Sequence, residues 1–286
     1  MRLALLSLVL LPLAAPTPPG CSSGCPWEKE NYSSDIGVPG VPLEPGDLAG
    51  TWYAQWEFST LINLPIFGER TAGSNGGRLV KLTYDAGQAA YTMEARFCWN
   101  DVFEVAGTSN TITDEQLSHL RPVFATLDSD NEKGEFLTRN ILDLWGIRDM
   151  PDPENTSLPN KDNYEQEPQS TWIFDEDQDG KLAITTYFSG NVRGEGYYVH
   201  RAVFTLDGVA KSKDELIGLV VQQKVEEKML RSTVNIAGQS AADTDQRPDP
   251  DPKHSWFQMI RGSDTGTCED VKAARDNRTL SSRRPF

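Results

Sequence analysis

Gly50-Thr51-Trp52-Tyr53-Ala54-Gln55-Trp56-Glu57-Phe58 alternates with a period of two. Successive side chains of an extended chain point to opposite sides, so Trp52, Ala54, Trp56 and Phe58 share one face while Thr51, Tyr53, Gln55 and Glu57 share the other. This is a strand with one dry and one wet face. Antiparallel sheets that cover a core on one side carry that pattern. It returns at Tyr91, Met93, Ala95, Phe97 and Trp99, with Thr92, Glu94, Arg96 and Cys98 opposite. A disulfide at Cys98 would therefore lie outside the core.

Further strand candidates are Arg78 to Tyr84, Val102 to Val105, Ser170 to Phe174, Leu182 to Phe188, Gly196 to Leu206, Ile217 to Leu230 and Ser255 to Arg261. Gly87, Gly107, Gly180, Gly194 and Gly208 lie in or near the breaks between them, as antiparallel turns require. Strand-like runs without alternating helices predict an all-β fold, an antiparallel barrel or sandwich, rather than a parallel sheet. Thr113 with Gln116 forms a capping box before Leu117 and Leu120, and Asn140 to Trp145 reads as a second short helix. Residues 149–169 hold six acids, one Lys and four prolines, so they read as an exposed acidic insertion. Residues 238–253, with the Pro-Asp-Pro-Asp-Pro run, read as another.

The 286 residues carry 27 Lys and Arg against 42 Asp and Glu, a formal charge of −15. Clustered cations are what bind a phosphate backbone, so nucleic acid is excluded as a partner. Arg2 followed by the apolar run Leu3 to Leu13 has the form of a signal peptide over residues 1–20, and the run is too short to span a bilayer. Gly20-Cys21 resembles a lipoprotein cleavage site, which leaves two readings: acylation at Cys21, with a lipid anchor in a bacterial envelope (outer membrane or periplasm), or soluble export. Ser22-Ser23-Gly24-Cys25 is a weaker second site. Residues 21–46, rich in Pro, Gly and Ser, read as a flexible tether to a single domain at 47–286. In an oxidising compartment Cys98 and Cys268 are natural disulfide partners, the alternative being two free thiols. Asn31-Tyr32-Ser33, Asn155-Thr156-Ser157 and Asn277-Arg278-Thr279 match the glycosylation pattern, which has meaning only in a eukaryote.

Gly50-Thr51-Trp52 at the start of the first strand, followed by the long loop Ser59 to Gly77, resembles the opening of lipocalin-like barrels. That resemblance implies a barrel whose closed end is formed by Trp52 with a late arginine, here Arg261, stacked on it. The segment Cys268 to Asp276, joined to a strand through Cys98, is similar to the lipocalin helix and its disulfide. The chain also resembles uncharacterised acidic bacterial lipoproteins with an aspartate-rich turn.

Asp175-Glu176-Asp177-Gln178-Asp179-Gly180 is the most specific chemical signal. Carboxylates at alternate positions converge on a hard cation of Ca²⁺ size, and the glycine permits the sharp turn. Thr186 stands where an EF-hand carries its bidentate Glu, so a structural Ca²⁺ held by Asp175, Asp177 and Asp179 would be incompletely caged; the alternative is an ion-free Asx-rich turn. Asp128-Ser129-Asp130-Asn131-Glu132 is a poorer echo and reads as a solvated turn. His119, His200 and His254 are isolated, H-E-x-x-H does not occur, and there is no G-x-S-x-G elbow, the one match, Gly20-Cys21-Ser22-Ser23-Gly24, falling at the end of the signal segment, so no cofactor and no catalysis is expected. His200 shares a face with Tyr198, Ala202, Phe204 and Leu206 and reads as a core histidine. Trp56, Tyr91, Met93, Phe188, Tyr198 and Phe204 either fill the barrel or line a cavity for one small apolar ligand. The expectation is a non-enzymatic envelope carrier; the alternative is a structural or interaction lipoprotein with a filled core and a calcium-binding or partner-binding acidic loop.

Overall fold

The computed structural model describes residues 36–64, 68–236, 239–240 and 245–286. The signal segment, Cys21, Cys25, the first sequon and most of the expected tether lie outside the described residues. In chain order the elements are β1 (Gly50–Leu64), β2 (Gly68–Asp85), β3 (Ala90–Val102), β4 (Thr108–Thr111), α1 (Asp114–His119), β5 (Val123–Asp130), β6 (Glu135–Thr138), β7 (Ile141–Trp145), α2 (Gln169–Trp172), β8 (Ile184–Gly190), β9 (Gly194–Ser212), β10 (Glu215–Ser232), β11 (Asn235–Ile236), β12 (Gln239–Ser240), β13 (Asp245–Pro248), β14 (Trp256–Arg261) and α3 (Cys268–Asp276).

Eight of these strands close into an antiparallel ring in the order β1-β2-β3-β5-β6-β9-β10-β14, with β14 returning to β1. The all-β expectation holds. β9 is the spine: β10 pairs along one edge, while β8, β7 and β6 share the other edge in succession. β4 extends the wall beyond β8, and β13 continues the line of β14 along β1. Where the wall passes from β3 to β7 and β8, α1 fills the seam, with Leu117 and Leu120 packed on Phe97, Ile184 and Trp145. The capping box predicted at Thr113 and Gln116 starts that helix.

Several expectations fail for physical reasons. Asn140 to Trp145 is strand, not helix: Ile141 and Asp143 are buried alternately as β7 pairs with β9, and long-range pairing outweighs local propensity. Ser170 to Phe174 is mostly the short helix α2, with a single bridge at Ile173 to Ile147. Of Val102 to Val105 only Val102 belongs to β3, and Val105 closes a tight turn with Thr108. Gly208 does not break β9; it faces Gly218 of β10, where a Cβ would meet backbone and the Phe257 ring. That pair of missing side chains makes room for Phe136 and Phe257, whose ring centroids lie 5.8 Å apart in the core. Trp99, assigned above to the inner face with Phe97, points outward, because a bulge at Cys98 shifts the register between Gly77 and Arg78.

The domain starts before Asp47: Val41 N donates to Ala210 O and Leu43 N to Asn131 O, and Leu43 and Leu48 are buried in the core. Residues 149–169 are not a bare loop either. Met150, Leu158, Tyr164 and Trp172 pack on Ile147, Val199 and Leu230 outside the barrel, while the acids between them face water. Their apolar residues have no period, so only tertiary packing reveals them. Within residues 238–253, the described part supplies β13.

At the closed end the Arg261 guanidinium lies 4.0 Å from the Trp52 ring centroid, donating to the carbonyls of Asp47, Ala49 and Lys213, while Trp52 Nε1 donates to Leu48 O. Outside, the Cys98–Cys268 disulfide ties β3 to the first turn of α3 across 170 residues of sequence. Around it Trp99, Val271, Ala274 and Leu280 form a separate apolar cluster. Replacing both cysteines by serine should cost about 2–5 kcal/mol in urea unfolding, because the unfolded chain regains loop freedom. The far-UV spectrum should stay strand-rich, since the link lies outside the barrel core.

Candidate functional site

Register places Trp52, Ala54, Trp56, Phe58, Thr60 and Ile62 of β1 on the inner face, opposite Val80, Arg78, Gly76, Ser74 and Ala72 of β2. The inner face changes character along the barrel. In the half near Trp52, the side chains of Trp56, Leu82, Tyr91, Met93, Leu127, Phe136, Phe204 and Phe257 are almost fully excluded from solvent. In the other half Phe58, Ala72, Ser74, Asn100, Asn110, Trp145, Phe188, Tyr198, His200 and Glu227 share the inner face yet keep accessible surface. Solvent is shut out of the inner face at one end of the barrel and reaches it at the other.

Two groups of ring contacts mark the boundary. Phe58 meets Phe204 edge-on at 5.0 Å, Phe204 meets Trp56 at 5.8 Å, Phe97 meets Trp145 at 5.2 Å, and Trp145 lies 4.6 Å from His200. Arg78 joins the two groups, with its guanidinium carbon 3.1 Å from the Phe97 centroid and 4.9 Å from that of Trp56. Arg78 is only 2% exposed, and its Nε and Nη1 have no hydrogen-bond partner among the described residues. Burial pulls its pKa down to about 9, with the Asp143 charge opposing. Asp143 is 4% exposed and its Oδ1 accepts from Trp145 Nε1. Burial pushes its carboxyl up to about 6 against the pull of Arg78. Burial and the Arg78 charge together hold His200 down to about 4, so it is a neutral imidazole at pH 7.

The six expected lining residues divide between the halves. Trp56, Tyr91, Met93 and Phe204 belong to the filled core. Phe188 and Tyr198 stand in the open half, with ring centroids 6.2 Å apart. Trp52 and Arg261 close the far end as described. Arg78, Asp143 and Trp145 escaped sequence reasoning. Arg78 keeps the inward parity of Val80 and Leu82, which was the available signal, but a cation on an apolar face reads as a strand end when the register of the partner is unknown.

The second cluster lies on the loop between α2 and β8. One carboxylate oxygen from each of Asp175, Asp177 and Asp179 lies within 4.8 Å of the other two. Each acid also spends an oxygen on the chain: Asp175 Oδ2 accepts from Gly180 N, Asp177 Oδ2 from Thr185 N and Gln116 Nε2, and Asp179 Oδ1 from Lys181 N. The remaining oxygens, Oδ1 of Asp175 and Asp177 and Oδ2 of Asp179, are buried and without a hydrogen bond, although Lys181 Nζ stands 3.7 Å from the last. Burial first, and the neighbouring acids after it, raise Asp177 to about 6. Gly180 adopts φ +80°, the left-handed conformation the turn needs. Glu176 points the other way, paired with Arg121 at 2.8 Å and accepting from Gly146 N.

The buried groups fix a pH response. Between pH 4 and 6 the folded chain keeps a proton on Asp143 that the unfolded chain has released, so this group's contribution to stability falls as pH rises. His200 acts oppositely, because only the unfolded chain takes up a proton between its folded value and 6.5, so its contribution rises with pH. Asp143→Asn removes this group's share of the fall and leaves that of Asp177. Urea unfolding between pH 4 and 6 should then show a slope more positive than wild type by up to about 1.4 kcal/mol per pH unit. No family model, no curated protein and no solved structure matches this chain.

Proposed function

We propose that the protein is a non-enzymatic, exported binding protein of the cell envelope, anchored through Cys21, whose half-open barrel carries one small, largely apolar molecule. The observation that supports this reading is the contrast along the inner face. Buried aromatic side chains seal one half, while Phe58, Phe188 and Tyr198 present accessible ring surface toward the inside of the other. Apolar surface lining a concave space is what a small-molecule site requires. The lipocalin-like opening and the stacked Trp52–Arg261 pair fit the same reading.

The test is uptake of a neutral apolar dye, N-phenyl-1-naphthylamine, followed by fluorescence. One equivalent should bind the mature chain. Ala72→Trp places a large side chain on the inner face of β2 above the ring floor and should weaken uptake at least about tenfold, the loss of roughly 1.4 kcal/mol. Uptake unaffected by that substitution counts against the site.

A second reading attaches to the acidic turn, where three converging acids each keep one buried oxygen that has no hydrogen bond among the described residues. We propose a structural Ca²⁺ there, with Asp175, Asp177 and Asp179 as ligands and an affinity of about 0.1–1 mM, as incomplete extracellular sites show. Calcium in tenfold excess over that constant should raise the melting temperature by about 3 °C, and equal Mg²⁺ should not. Asp177→Asn with Asp179→Asn should abolish the response.

A further inference from the structure

Arg78 is unexplained by the fold. A guanidinium is among the groups costliest to bury, and proteins that bury one surround it with carboxylates or carbonyl acceptors. Arg261 of this chain illustrates the rule, with three carbonyls in its fork. So does Arg201, 1% exposed, which takes Pro153 O, Thr156 O and Glu226. Arg78 has two aromatic faces instead, and its Nε and Nη1 donate to nothing among the described residues. Trp56 Nε1, on the ring beneath the same guanidinium, is likewise buried and without an acceptor. Both sets of unpaired donors lie together, at the floor of the open half.

We propose that Arg78 receives the carboxylate of an amphipathic monoanion whose apolar body lies along the aromatic wall of the open half. The inference rests on the carrier reading and names the chemistry of its ligand. A carboxylate matches the planar fork of arginine with two parallel hydrogen bonds, and it supplies the acceptors that the floor lacks. Above Arg78 the wall carries the rings of Phe58, Phe188 and Tyr198, with the polar Ser74, Asn100 and Asn110 between them. It is also long: from Ala54, opposite Arg78, to Ile62 is eight residues of β1, roughly 20 Å of height for a tilted strand. The titratable groups facing Arg78 narrow the charge. His200 is uncharged, Glu227 opposite it on the inner face accepts from Gln246 Nε2, and Asp143 acts on Arg78 through space while its own bond goes to Trp145. A carboxylate there adds one negative charge beside Asp143, which that residue can offset by taking up one proton, whereas a dianionic head would add two.

The experiment displaces N-phenyl-1-naphthylamine from the mature chain with three molecules of equal length: hexadecanoate, hexadecanol and methyl hexadecanoate. Hexadecanoate should displace the dye at a concentration about 10- to 100-fold lower than the other two, the factor carried by a charge-assisted hydrogen bond. Arg78→Met should erase that preference and leave dye affinity in place. Arg78→Lys, which retains the charge and loses the fork, should keep part of it. Equal displacement by all three molecules in the wild type overturns the assignment to Arg78 and leaves the carrier reading standing. Preference for the acid retained in Arg78→Met also overturns it, because another cation is then responsible. Failure of the wild type to take up the dye overturns the carrier reading and this inference together. The wild-type comparison decides the matter even if neither variant folds.

Discussion

A strand of 19 residues presents two long rows of backbone donors and acceptors, and each group inside the protein needs a partner. β9 meets that demand on one edge with β10 alone. On the other edge it needs β8, β7 and β6 in relay. The relay determines the shape of the barrel. Near β6 the ring closes through β5 onto β3, tight enough for side chains to fill it. Near β7 and β8 the wall swings outward to β4, and a helix has to occupy the seam. A filled half and an open half are therefore two ends of one pairing scheme.

Electrostatics follows the same division. In the filled half the inward groups are mostly apolar, and the Tyr91 hydroxyl is bonded to backbone at Gly46 and Leu48. At the boundary Arg78, Asp143 and His200 sit within one another's fields in a medium that screens weakly. Each is pushed toward its neutral form by burial. Such sites are unfavourable for stability on their own, and natural chains keep them where a ligand or a switch gains from them. The acidic turn repeats the theme with charges of one sign.

Alternation made the barrel legible. Trp52 to Phe58 and Tyr91 to Phe97 announce their faces, and Gly50-Thr51-Trp52 with Arg261 marks the closed end in the sequence itself. Cys98 and Cys268 pair as read from compartment and position. What stayed hidden depends on partners distant in sequence. β5 and β6 were missed because Phe124 is exposed and Asp128, Ser129 and Asp130 dilute the pattern. β7 was read as helix because a five-residue run carries too few turns of either period to separate them. A single bulge at Cys98 reversed the parity of Trp99. Arg78 as the floor of a compartment becomes visible only when β1, β3 and β7 are brought around it.

Gln116 holds two parts of the molecule in one residue. Its Oε1 accepts from Thr113 N and so completes the cap of α1, while its Nε2 reaches Asp177 and the Thr185 carbonyl. Helix start, acidic turn and the head of β8 are thereby linked in a local-unfolding unit of the kind that amide exchange resolves. When the cap lets go, the turn loses its buried anchor, and the seam over Phe97 and Ile184 loosens with it. The six residues of α1 thus cover the seam through one side-chain amide that also anchors the turn.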